Sequence, residues 1–243
     1  MNAAHPPSLL RSSLGLKIVM AVTGLILFGF VVAHMIGNLQ VYLGPEAMDA
    51  YAVFLRSLLH GAGLWIARAV LLVAVGLHIW SAWRLTMINR AARKVGYREV
   101  ERRESTYASR TMRWSGVILL LFIVYHLLHF TFGAPVVHPH FVHGAVYHNF
   151  VTGFRSPLVS GFYILAMLSL GLHLYHGAWS FMQTLGLSHP RYNHLRHGLA
   201  TLLTLVVVAG NISFPVAVLT GLLREQVADS SVRTAEQPAG GSH

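Results

Sequence analysis

The chain contains no cysteine. Structural disulfides, thiolate zinc sites and cysteine-ligated iron–sulfur clusters are therefore excluded for it. Acidic residues are almost as scarce, with eight Asp and Glu among 243 residues against 18 Lys and Arg. None of the eight lies in the body of a long apolar run, so the carboxylate ligands of di-iron bundles and of many zinc sites are missing there. Charged residues make up 11% and hydrophobic residues 54%, whereas a soluble domain carries about 25% charged residues. Length alone would suit one or two soluble domains, but this composition is that of an integral membrane protein. The net charge of +10 does not point to nucleic acid. The basic residues gather between the apolar runs, as they do in cytoplasmic membrane loops.

Five runs are long enough to cross ~30 Å of hydrocarbon, which takes roughly 20 helical residues. They are Leu16–Leu43, Leu64–Ile88, Met112–Gly133, Pro157–Leu185 and Leu195–Leu223. The first is too long for a signal peptide and lacks a small-residue cleavage site near its end. The expected organisation is an N-terminal segment over 1–15, a five-helix transmembrane domain over 16–223 and a disordered tail over 224–243. Arg11, Lys17, the Arg-dense stretch "RAARKVGYREVERRESTYASRTMR", Arg191 and Arg196 mark one side of the membrane. The other side carries little beyond Arg56 and Arg155. The positive-inside rule places the N-terminus in the cytoplasm and the C-terminus outside.

Histidine is abundant, with 16 residues. Each of the first four spans holds at least one in its apolar body: His34; His78; His126 with His129; His173 with His176. A lone intramembrane histidine can simply hydrogen-bond a neighbouring helix. Four helices each carrying one point instead to a functional site. At 1.5 Å per residue, His34 and His126 lie roughly 27 and 21 Å from the cytoplasmic starts of their helices. His78 and His176 lie roughly 21 and 28 Å from the outer starts of theirs. The histidines thus sort into an outer pair and an inner pair. Facing imidazoles in an apolar bundle form an axial cage for haem. Gly24, Gly37, Gly76, Gly116, Gly171 and Gly177 could let a flat macrocycle approach a helix, or could serve ordinary helix packing. The residues favour two b haems, one above the other, in an all-α bundle of the first four helices, with the fifth packed outside.

The stretches "VTGLILFGFVVAHMIGNLQVYLGPEAMDAYAVFLR", "GLHIWSAWRL", "YHLLHFTFG", "HLYHGAWSFMQTLG" and "ISFPVAVLTGLL" occur in this order over about residues 12–224. In them the chain resembles the membrane cytochrome b subunit of succinate dehydrogenase and fumarate reductase, in its five-helix, two-haem form. That resemblance implies His34 and His126 as ligands of the outer haem, and His78 and His176 as ligands of the inner one. His173 is then a packing or propionate-side neighbour of His176. It implies no catalytic residue in this chain. It implies partner subunits that carry FAD and iron–sulfur clusters and perform the succinate–fumarate chemistry, and quinone, often menaquinone, as the electron partner in the membrane. The location implied is the cell inner membrane. Some members place an acid near the outer haem as a proton carrier. Here Arg56 stands at that offset, with Glu46 and Asp49 nearby. Arg84, six residues past His78, either pairs with a haem propionate or snorkels to the membrane surface.

Two other functions fit paired histidines. One is a di-haem cytochrome b of another quinone-linked oxidoreductase, such as a hydrogenase or formate dehydrogenase. The other is a histidine-lined transporter with no cofactor.

Overall fold

A computed structural model of the protein describes residues 12–91, 107–184, 186 and 189–225. The segment before residue 12, the centre of the Arg-dense connection and the tail after residue 225 lie outside the described residues. Among the described residues the fold is helical, with no strand.

Helix α1 (Ser13–Asn38) starts where the Ser12 hydroxyl accepts the Gly15 N–H at 2.9 Å, which satisfies one of the orphan donors of a first turn. A 3₁₀ turn, Leu39–Leu43, leads to Gly44 at φ 101°, and Pro45 opens α2 (Pro45–Ser57). Leu59, His60 and Gly61 are all left-handed and make a sharp corner into α3 (Ala62–Ala91). Helix α4 (Tyr107–His126) ends in a π-turn, Leu127–Thr131. Next come α5 (Val146–Phe154), α6 (Pro157–Thr184) and α7 (Asn193–Leu219).

Five stretches are long and apolar enough to span a bilayer; they contain α1, α3, α4, α6 and α7. The protein is a multi-pass membrane protein. Leu72, Leu121, Trp114 and Leu158 turn outward and are largely exposed, as side chains that face lipid must be. Helices α1 and α3 run along each other, and so do α4 and α6; α7 lies outside the four, chiefly along α6. Small residues allow the close contacts. A Cβ at Gly171 would meet Val208 at 2.9 Å, and one at Gly210 would collide with the Met35 side chain, the tight approach that drives helix association in lipid.

The two ends of the bundle differ. The basic end carries Lys17, Arg84, Arg90, Arg113 and Arg191. The opposite, capped end is closed by α2 and α5, two helices that lie between the spans. Their side chains Met48, Tyr147, Phe150, Val151 and Phe154 join Met35, Tyr163, Phe214 and Val218 in one buried cluster. Asp49 helps to fix the cap, because its Oδ1 accepts the Tyr147 N–H at the start of α5, at 3.0 Å.

Candidate cofactor-holding site

The two helix couples, α1–α3 and α4–α6, are bridged by histidine rings at two levels. Towards the capped end, His34 on α1 faces His126 on α4, with centroids 5.8 Å apart and planes at 88°. Towards the basic end, His78 on α3 faces His173 on α6, with centroids 6.2 Å apart. The levels can be measured along the helices. His78 touches α1 at Met20 and Thr23, and His34 lies about 18 Å further along. His173 touches α4 at Ser115, and His126 lies about 17 Å further along.

His176, the residue expected to face His78, sits one turn nearer the basic end. Its Nε2 is engaged by the Ser180 hydroxyl of its own helix at 3.2 Å. The i, i+3 spacing brings both histidines to the same side of α6, and the packing turns His173 towards α3.

Hydrogen bonds engage one nitrogen of each ring in the inner pair. The Thr23 hydroxyl donates to the Val19 carbonyl at 2.7 Å. It therefore accepts from His78 Nδ1–H at 3.2 Å, and the Met20 carbonyl accepts from the same N–H at 3.2 Å. The Ser115 hydroxyl lies 2.9 Å from the Met112 carbonyl and 3.3 Å from His173 Nδ1, so it engages that nitrogen of the ring. The His78 ring is thus held as the tautomer that leaves the Nε2 lone pair free, the usual support for a metal-binding imidazole, and in both rings the engaged nitrogen is Nδ1, not Nε2. At the outer level the Tyr163 hydroxyl lies 3.3 Å from His126 Nδ1. His34 is packed by Phe30, centroids 5.3 Å apart, and keeps open ring surface although helices surround it.

The donor set fits haem. Imidazole nitrogens bind metals at about 2.0 Å, so two rings facing each other across one ion have centroids roughly 6 Å apart. Among the described residues no three His, Asp or Glu converge to hold a bare metal ion. A pair leaves four equatorial positions for a macrocycle to fill. Glycine also lines the inner level. A Cβ at Gly24 would stand 3.3 Å from His78 Cε1, and one at Gly116 3.8 Å from His173 Cε1. Gly37 packs instead on Tyr51 and Gly171 on Val208, while Gly76 and Gly177 face open space.

Arg84 is half-buried on α3 towards the basic end. It has no ion pair or hydrogen bond among the described residues. Of the polar residues near the capped end, Asp49 is occupied in capping α5, while Glu46 and Arg56 are exposed.

The capped end also holds a network that sequence reasoning did not single out. His129, 1% exposed, places Nδ1 2.9 Å from the Tyr163 hydroxyl. His138, 2% exposed, places Nδ1 3.1 Å from the His129 carbonyl and Nε2 3.1 Å from Thr152 Oγ1. No spacing rule predicts these contacts, because they depend on the π-turn and on the fold of residues 132–145.

The profile of one protein family, the succinate dehydrogenase/fumarate reductase transmembrane subunit, matches residues 87–212. The match takes in His126, His173 and His176 and leaves His34 and His78 outside it. No curated protein and no solved structure gave a significant match.

Proposed function

Because the chain belongs to the succinate dehydrogenase/fumarate reductase transmembrane subunit family, we propose that it anchors a succinate:quinone oxidoreductase and conducts electrons between its iron–sulfur subunit and membrane quinone. The observation that carries this is the pair of cross-bundle imidazole contacts, 5.8 and 6.2 Å apart at the centroids, at two depths of one bundle. His34 and His126 would hold one haem b. His78 would hold the other, with His173 across from it in preference to His176. Haem b, when bound, supplies a one-electron centre at each level.

The chain's own residues do the rest. Thr23, the Met20 carbonyl and Ser115 orient the inner imidazoles. Tyr163 and Phe30 hold the outer ones. The apolar bundle excludes water from both levels. Arg84, half-buried on α3 towards the basic end, would pair with a propionate of the inner group.

The basic end faces the cytoplasm in this reading, following the positive-inside rule, in the inner membrane of the cell. There it docks the iron–sulfur subunit, which passes electrons on from a FAD-containing flavoprotein. The capped end faces outward. The quinone is menaquinone, as is frequent in the resembling subunits. Residues 16–223 form the electron-transfer domain, between a short cytoplasmic start and a polar tail.

Co-purification from native membranes tests the assignment. A flavoprotein and an iron–sulfur protein should accompany the chain, and succinate should reduce a visible haem band. Purification with hydrogenase or formate dehydrogenase subunits, or a spectrum without haem bands, would reject it.

A further inference from the structure

The basic end holds one arginine that does not behave as a membrane flank. Arginines near helix ends snorkel to the surface and keep their charged heads in water. Arg191 is exposed in that way. Arg196, the fourth residue of α7, is instead 6% exposed. Its guanidinium carbon lies 4.2 Å from the Trp179 ring centroid on α6, and Nη1 donates to Asn193 Oδ1 at 2.9 Å. Nε and Nη2 are closed off from water and have no hydrogen-bond partner among the described residues.

The two unpaired atoms belong together. Nε–H and one N–H of Nη2 point the same way from one edge of the planar group, the edge that grips two oxygens of a carboxylate or phosphate at once. Asn193 holds the third nitrogen and so fixes the orientation of the free edge. Buried donors are almost always paired, and leaving a buried charge without its partner is strongly unfavourable. An oxyanion supplied from elsewhere would complete the group. A separate feature favours an anion at the same place. The bond to Asn193 lays the guanidinium back over the first turn of α7. Tyr192 stands at the cap position, and its side chain takes no bond from that turn. The N–H groups there form the positive end of a 27-residue helix.

The acidic residues among those described are Glu46, Asp49 and Glu225, and all three lie at the capped end. None can reach Arg196. The surroundings of the site are those of a bilayer surface. Arg196 is roughly 5 Å from the start of α7, the depth of lipid headgroups. Helix α7 lies outside the four others, chiefly along α6, so the seam between α6 and α7 borders lipid. Leu195, Leu199 and Leu202, on the flank of α7 next to Arg196, are 51 to 59% exposed. Trp179, with the His197 ring stacked on it at 3.8 Å, stands at the level where tryptophan gathers in membrane proteins.

We propose that Arg196, with the first turn of α7, binds the phosphate of an anionic phospholipid in the leaflet at the basic end, with an acyl chain along Leu195, Leu199 and Leu202. Basic pockets between helices on this side of a membrane take lipid headgroups by the same chemistry. A lipid with net negative charge is preferred to a zwitterionic one, because the end also carries Lys17, Arg84, Arg90, Arg113 and Arg191 and no acid among the described residues. The bound phosphate pairs the buried edge and ties α7 to α6. The site needs no haem, and it stands apart from the electron-transfer reading.

The test is native mass spectrometry of the complete complex, purified from native membranes in mild detergent and then titrated with phosphatidylglycerol or phosphatidylcholine. The variants are Arg196→Gln, Arg196→Lys and, as a control at the same end, Arg191→Gln. The wild type should retain one phospholipid on this chain and prefer phosphatidylglycerol at least tenfold. Arg196→Gln should lose the retained lipid and bring the preference below threefold. Lysine keeps the charge without the planar edge, so Arg196→Lys should bind phosphatidylglycerol at least fivefold more weakly. Arg191→Gln should bind it within twofold of wild type. Lipid retained by Arg196→Gln at the wild-type level would overturn the proposal. So would an adduct with the mass of inorganic phosphate that Arg196→Gln removes while lipid binding stays, since that marks a site for the free anion. Loss of a partner subunit in Arg196→Gln with lipid binding unchanged would assign the edge to a protein carboxylate, and would overturn it too. If Arg196→Gln does not assemble, Arg196→Lys decides, and wild-type affinity in that variant would sink the proposal.

Discussion

At the scale of single residues, His173 and His176 share one face of α6 but have different neighbours. His173 faces His78 and its Nδ1 is engaged by Ser115, while His176 is bonded to Ser180 within its own helix. Replacing His173 with alanine should remove one of two haems, the one nearer the basic end. His176→Ala should retain both. Difference spectra of purified complexes check this, and loss of a haem in His176→Ala with both kept in His173→Ala would reverse the assignment. The supporting hydroxyls should matter less than the ligands. Losing a group that hydrogen-bonds a metal-binding imidazole commonly costs about 10–100-fold in affinity, so Ser115→Ala should weaken retention of the inner haem by about that factor in a haem-transfer assay. Tertiary packing decided what periodicity could not: i and i+3 share a face, and only the neighbouring helices show which of the two meets a partner.

At the scale of elements, the cap makes the strictest demands on the chain. Gly133 follows the π-turn at φ 59°, and a Cβ there would collide with the Phe141 ring. Alanine at that position meets both a left-handed backbone and a fixed aromatic. It should cost about 1–3 kcal/mol, read as a lower unfolding temperature of the purified chain. The cap is also pinned by charge, because Glu225 accepts from His148 and from Arg155 at 2.6 and 2.7 Å. Burial on its own would raise the Glu225 carboxyl, but hydrogen bonds and charge from His148 and Arg155 outweigh it and hold it below the ordinary carboxylate value. A depressed carboxyl stabilises the fold above its unfolded value, and that contribution is lost as pH falls through the folded one. Amide exchange over residues 138–155 should therefore stay slow from neutral pH down to the ordinary carboxyl range and quicken below it, after correction for intrinsic rates. In Glu225→Gln the acid-induced change should vanish. Neither cap helix was legible as such, since each is short and lies between spans whose hydropathy dominates.

At the scale of the whole molecule, the five spans were readable because a bilayer sets helix length. Their histidine-bearing members were readable because ionisable groups are rare inside it. The sorting of His34 with His126, apart from a second level nearer the other end, came from counting rise along helices and matches the contacts in the bundle. The rotation of α6 and the folding of the third connection over His129 depend on contacts distant in sequence, which counting does not reach. Orientation is open to direct measurement. A cysteine placed at residue 97, in a chain that has none of its own, should react with an impermeant maleimide only from the cytoplasmic side. Labelling from outside would invert the topology.

Two separate bis-histidine haem sites in one subunit are the core of the functional proposal. A pyridine haemochrome assay on the purified complex, set against the quantity of this chain, measures them most directly. Two haems b per chain are expected, with low-spin spectra in both oxidation states. One haem per chain, or none, would contradict the assignment.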